Sequence, residues 1–135
     1  MRYPVRKAAH VFERVGLAVA GAACGLFVGA DVGSAIPQLT TQGFLLVMMV
    51  LGFVGFYLGI DTPQMPFDDA HSEIDAAEFL SSAGTLFATV TAFLSVAVIV
   101  LRLEPHIGLS WLTLSAWIAG VAMQIVAGTK ARMRK

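Results

Sequence analysis

The chain has 135 residues, 57% of them hydrophobic and 13% charged, with a mean hydropathy of +0.77. Soluble domains carry roughly 25% charged residues, so this composition cannot supply a water-facing shell, and it is too apolar for a disordered chain. Nine Lys and Arg balance nine Asp and Glu, which removes the basic surface that nucleic-acid binding requires and leaves an integral membrane protein.

The first segment, Arg6 to Arg14, reads as a short amphipathic surface helix, with Arg6 and His10 four apart and Glu13 three further on. Each basic residue near an anionic leaflet contributes about 1 kcal/mol of attraction. Beyond it, roughly 20 consecutive apolar residues mark a membrane span, and four such runs occur, at about 15–36, 44–60, 79–101 and 109–127. Pro37, Pro63, Pro66 and Pro105 fall in the connections, where their missing N–H and fixed φ do least harm. The fold expected is all-α: a single four-helix transmembrane domain over 1–135, a bundle with short outer hairpins around Pro37 and Pro105 and one acidic cytoplasmic loop at 61–78.

The N-terminus also has the outline of a lipoprotein signal, with a basic start, an apolar stretch Val15 to Ala23 and then Cys24. Gly21 stands three before the cysteine and the apolar run continues through Ala30. Both features favour an uncleaved first span. Cys24 is the sole cysteine, so no internal disulfide forms.

Orientation follows from the basic residues, which stay cytoplasmic when they lie close to a span. Eight of nine sit on the two tails: Arg2, Arg6, Lys7 and Arg14 before the first span, and Lys130, Arg132, Arg134 and Lys135 after the fourth. Both termini are therefore expected in the cytoplasm, with the chain in the inner (plasma) membrane. An even number of spans is required, in agreement with four.

Within the first span Gly21, Gly25, Gly29 and Gly33 recur every four residues, a stripe that turns by about 40° per step. In the second, Gly52, Gly55 and Gly59 fall within about 60° of one another. Small residues let helix backbones approach closely in lipid, so spans one and two are expected to cross through these faces. Gly25-Leu26-Phe27-Val28-Gly29-Ala30-Asp31 also aligns with Gly55-Phe56-Tyr57-Leu58-Gly59-Ile60-Asp61. In antiparallel spans this places the two aspartates near opposite membrane faces, the pattern of an inverted repeat. Asp31 lies about 140° from the centre of its glycine stripe, and Asp61 likewise. A carboxylate facing lipid is costly, so each either snorkels at the boundary or is covered by a further helix surface, of this chain or of another subunit.

Span three separates Ser81, Gly84, Thr85, Ala88, Thr89, Ala92 and Ser95 on one side from Phe79, Leu86, Phe87, Val90, Phe93 and Leu94 on the other. The small side is expected to meet protein, with Thr85 and Thr89 packing and hydrogen-bonding across helices. A water-lined path along it is the alternative. In span four, Trp111 fits an interfacial anchor and Trp117 a packing role.

The loop 61–78 holds six of the nine acidic residues. Ser72 with Asp75 reads as the capping box that starts span three. Asp68, Asp69, His71, Glu73 and Asp75 also gather oxygen and nitrogen donors, but the spacing fits no EF-hand. They are weak metal candidates, and no metal or cofactor is expected. No phosphate-binding loop, dinucleotide fingerprint, zinc-protease motif or nucleophile elbow occurs, so an enzyme is not expected.

Two functions compete. The first is assembly through helix–helix contacts, as a homo-oligomer or an accessory subunit of a membrane complex, motivated by a surplus of small-residue faces. The alternative is a small oligomeric ion or solute transporter or channel that uses the membrane-edge carboxylates Asp31 and Asp61. The expected partners are the lipid bilayer and either the chain itself or other membrane subunits, with no nucleic acid.

Overall fold

The computed structural model describes residues 2–59, 76–104 and 106–133, and among these every regular element is a helix. Four helices occur: α1 Arg2–Ala35, α2 Gln42–Gly59, α3 Ala76–Val100 and α4 Ile107–Met133, with a short 3-10 turn at Pro37–Leu39. All four are long and apolar enough to cross a membrane.

The ends of the helices have local causes. Pro37 disfavours helical geometry in the residue before it, and Ile36 is accordingly extended, at φ −116° and ψ 103°. The carbonyls this break would leave open are taken up by Thr40, whose hydroxyl donates to Gly33 at 2.8 Å and to Ile36 at 3.4 Å. Thr41 then starts α2 by accepting the N–H of Phe44 at 3.2 Å, the usual service of a threonine cap.

α1 begins well before the apolar run. Its 34 residues extend about 51 Å at 1.5 Å per residue, against about 27 Å for the 18 residues of α2. The surface helix expected at Arg6 to Arg14 is thus the first part of α1 itself, continuous with the span. Between Val5 and Val15 no proline or glycine is present to break it, and Pro4 sits in the first turn, where its missing N–H breaks no helical bond.

The chain forms two antiparallel hairpins, α1 with α2 and α3 with α4, closed into a bundle in the cyclic order α1, α2, α4, α3. Across the diagonal α1 approaches α4, whereas α2 and α3 scarcely meet. The start of α1 and the end of α4 lie at one end of the bundle and both short connections at the other, here termed the termini end and the hairpin end. Trp117 is fully buried among Met48, Phe56, Leu114 and Val121. The bulky side of α3 (Phe79, Leu86, Phe87, Val90, Phe93, Leu94) is exposed, and its small side is buried at Ser81, Gly84, Ala88, Ala92 and Ser95. Large apolar groups outward and small ones inward suit a lipid solvent, which offers no hydrophobic reward for burying Phe or Leu.

Candidate functional site

The glycine stripe of α1 is used inside the chain. A Cβ added to Gly21 would run into the Gly52 carbonyl oxygen and lie 2.6 Å from the Phe56 ring, and one on Gly25 would run into the Met48 carbonyl. Gly29 sits against Leu45 and Met48, and Gly33 against the Leu39 carbonyl. On α2 only Gly52 answers this face, and it also makes room for the Trp117 indole at 3.3 Å. Gly55 turns to Val121 and Gln124 of α4, and Gly59 to Ser81 and Gln124. The expected single crossing face of α2 is therefore divided: a residue three or seven places on has rotated far enough to meet the next helix of a four-membered ring. The two halves of the G-x-x-x-G-x-D repeat consequently pack against different neighbours. Asp61 lies outside the described residues, as do the Ser72–Asp75 capping box and the metal candidates Asp68, Asp69, His71, Glu73 and Asp75.

The polar groups of α3 divide in the same way. Gln124, in α4, donates from Nε2 to the Thr85 hydroxyl at 2.8 Å, and Ser81 donates to the Gly59 carbonyl at 3.1 Å. Thr89 does not reach another helix. Its hydroxyl donates to Thr85 and Leu86 carbonyls of its own helix, the back-bonding that competes with interhelical contacts. Gly84 and Gly120 form a second close crossing, between α3 and α4. Gln124 is one of the polar residues that span four offers in the sequence, with Thr113 and Ser115, whereas Gly120 is a contribution that its pattern left unmarked.

Asp31 has 5% of its surface exposed. Since it lies opposite the glycine stripe, it faces neither α2 nor lipid: α3 of the same chain covers it. The Ser95 hydroxyl, itself buried, faces the carboxylate without closing a hydrogen bond. Beside them opens a pocket of about 290 Å³ at the hairpin end, lined by Ala30, Asp31 and Ser34 from α1 and by Val98, Ile99, Arg102 and Leu103. Ser34 donates to the Asp31 backbone carbonyl at 2.7 Å, which holds its hydroxyl along the helix. A neighbouring pocket of about 300 Å³, between α1 and α2, is lined by Gly29, Gly33, Thr40, Gln42 and other uncharged residues.

Arg102 holds its place at a conformational cost. The N–H of Leu103 bonds the Val98 carbonyl at 3.0 Å and that of Arg102 bonds Ile99 at 3.2 Å. This is the Schellman pattern, in which the residue after the helix cap adopts the left-handed conformation and is usually glycine. Here it is Arg102, at φ 52°, and among the described residues no other non-glycine residue has positive φ. A side chain in that region costs roughly 1–2 kcal/mol, while a cation at a helix C-terminus returns about 0.3–1 kcal/mol. Helix capping alone therefore favours glycine. What arginine adds is a guanidinium on the pocket that holds Asp31.

At the termini end, Arg14 of α1 and Arg132 of α4 lie 5.1 and 5.9 Å from the centroid of the Tyr57 ring of α2. These cation–π distances tie three helices together. Among the described residues no group of three His, Cys, Asp or Glu is placed to hold a metal ion. His10 pairs with Glu13 at 4.0 Å on the exposed part of α1.

No known protein family, curated protein or solved structure matches the chain.

Proposed function

We propose that this chain is a small multi-pass protein of the inner (plasma) membrane, with both termini cytoplasmic, that binds and passes an ion or small polar solute at the pocket between α1 and α3. The observation that carries this reading is Asp31, a carboxylate 5% exposed within an apolar helix and bordering about 290 Å³ of open space. Ionisable residues within membrane helices are costly, and where they occur they commonly mark ion, proton or substrate paths. Asp31 is the binding carboxylate in this reading. Ser95 and Ser34 are polar neighbours, and Arg102 is the counter-charge at the mouth. The eight basic residues on the two tails support the orientation.

The competing expectation, assembly as a homo-oligomer or accessory subunit, drew on a surplus of small-residue faces. Those faces are occupied by α1–α2, α2–α4 and α3–α4 packing within one chain, so the assembly reading retains only the lipid-facing surface in its favour.

Purified protein in liposomes, assayed for proton and ion flux, tests the proposal with Asp31→Asn and Asp61→Asn beside wild type. Flux in the wild type that falls about tenfold or more in Asp31→Asn supports it. Flux absent across a panel of monovalent and divalent ions, or equal in wild type and Asp31→Asn, refutes it.

A further inference from the structure

The two charges on the α1–α3 pocket are opposite, and no ion pair joins them. Asp31 stands in the last turns of α1 and Arg102 on the Schellman turn that ends α3, so the two charges are set on different helices. Asp31 lies about 6 Å below the last residue of α1, and Arg102 sits just beyond the end of α3. The pocket therefore has an acidic floor on one side and a basic lip on the other. Its remaining walls are the apolar Ala30, Val98, Ile99 and Leu103 together with Ser34, whose hydroxyl is engaged by the Asp31 backbone carbonyl. The space corresponds to the liquid volume of about ten waters.

We propose that this pocket binds a zwitterion, a primary ammonium seated on Asp31 and an adjoining anionic group seated on Arg102. A simple cation would satisfy Asp31 and leave Arg102 without a purpose in a position that favours glycine. A simple anion would be repelled by the buried carboxylate. A ligand carrying both charges uses both residues, and the apolar walls accept the hydrocarbon attached to it. Two sources supply this chemistry: an ethanolamine phospholipid, whose headgroup lies at the bilayer surface where membrane-spanning helices end, and a free amino acid with an apolar side chain.

The inference rests on the reading of this pocket as the working site, but it fails separately. Flux that depends on Asp31 without zwitterion binding would overturn it and leave ion handling standing. Zwitterion binding without flux would support it and remove transport.

The test uses the full chain, delipidated and returned to nanodiscs. Phosphatidylethanolamine is compared with phosphatidylcholine, whose quaternary ammonium has no N–H to donate. Leucine in solution is compared with 4-methylpentanoate, which lacks the ammonium. Retention by native mass spectrometry and ligand-dependent shifts of the melting temperature are the readouts. The expected result is a preference of about tenfold or more for phosphatidylethanolamine, for leucine, or for both, which identifies a lipid source, a solute source, or either. Asp31→Asn should abolish the preference and Asp31→Glu should retain part of it, whereas Arg102→Gln, which loses the seat of the anionic group common to each pair, should weaken retention of phosphatidylethanolamine and leucine about tenfold or more. Because Arg102 is exposed, Arg102→Gln reports on binding even if Asp31→Asn fails to fold, and the contrast between ligands needs no variant. Absence of both preferences overturns the proposal, as does retention of phosphatidylethanolamine and leucine that Arg102→Gln leaves unchanged.

Discussion

Arg102 and Gln124 show how much a single side chain can be asked to do in a bundle this small. If Arg102 is retained for its charge at a conformational cost, replacing it with glycine should relieve that cost while removing the guanidinium. The expected outcome for Arg102→Gly is a melting temperature equal to or above that of the wild type, because relief of about 1–2 kcal/mol exceeds the lost dipole interaction. Thermal unfolding in detergent followed by circular dichroism checks this, and a clear drop would mean that the arginine stabilises the fold. Gln124 presents a different balance. Its Nε2 is bonded to Thr85, but its Oε1 is buried without a partner. Gln124→Leu gives up one interhelical hydrogen bond worth about 1 kcal/mol and removes an unsatisfied acceptor whose burial costs about 1–3 kcal/mol. Thr85 keeps its bond to the Ser81 carbonyl at 2.9 Å. The leucine variant should therefore be as stable as the wild type or more so. Gln124→Ala leaves a void and should lose about 2–4 kcal/mol, in line with large-to-small core changes. Steric-trap or denaturant unfolding of the two variants separates these outcomes.

At the scale of the helices, the glycines of α1 fall into two classes that their spacing does not separate. Gly16 would meet nothing within 4 Å on gaining a methyl group, whereas the same methyl on Gly25 would strike the backbone of Met48. Gly16→Ala should stabilise by about 0.5–1 kcal/mol, the difference in helix propensity. Gly25→Ala must push α1 from α2 and should cost about 1–3 kcal/mol, the range for overpacking. Opposite signs at two glycines of one helix, read from unfolding midpoints, test the close crossing directly. This contrast also marks the limit of what spacing reveals. Four apolar runs broken by charge and proline are enough to identify four helices, because a bilayer sets their length. A wheel about one helix gives the direction of Asp31 relative to its own glycines, and that direction holds in the structure. It does not say which helix lies there, which is why α3, rather than lipid or a second subunit, had to be learned from the fold. Gly55 and Gly59 were assigned to α1 for the same reason and in fact meet α4 and α3. Arg102 was legible only as the charge that closes a span. Its left-handed backbone depends on how the chain turns toward α4, and an arginine there is the residue that propensity argues against.

For the molecule as a whole, the balanced composition conceals a strong polarity between its two ends. The two tails hold eight of the nine basic residues in the sequence, and at the termini end Arg14 and Arg132 are gathered on Tyr57. The hairpin end has Arg102 and Glu104 with Asp31 just inside it. Such an asymmetry of Lys and Arg orients a small protein during insertion, since acidic residues contribute little to the choice. The six acidic residues of 61–78 therefore do not cancel the tails. An alkaline phosphatase domain fused after Lys135 should remain inactive in bacterial cells, and a green fluorescent domain at the same place should be bright. The same pair of domains inserted between Thr40 and Thr41 should give the reverse. Replacing Arg132, Arg134, Lys130 and Lys135 together with Gln weakens only one tail and should leave the orientation unchanged, because Arg2, Arg6, Lys7 and Arg14 still flank the first span. Removing the basic residues from both tails should produce mixed orientation. An active phosphatase on the unaltered C-terminus would place the pocket of Asp31 and Arg102 on the cytoplasmic face, and any solute reaching it through that mouth would then come from inside the cell.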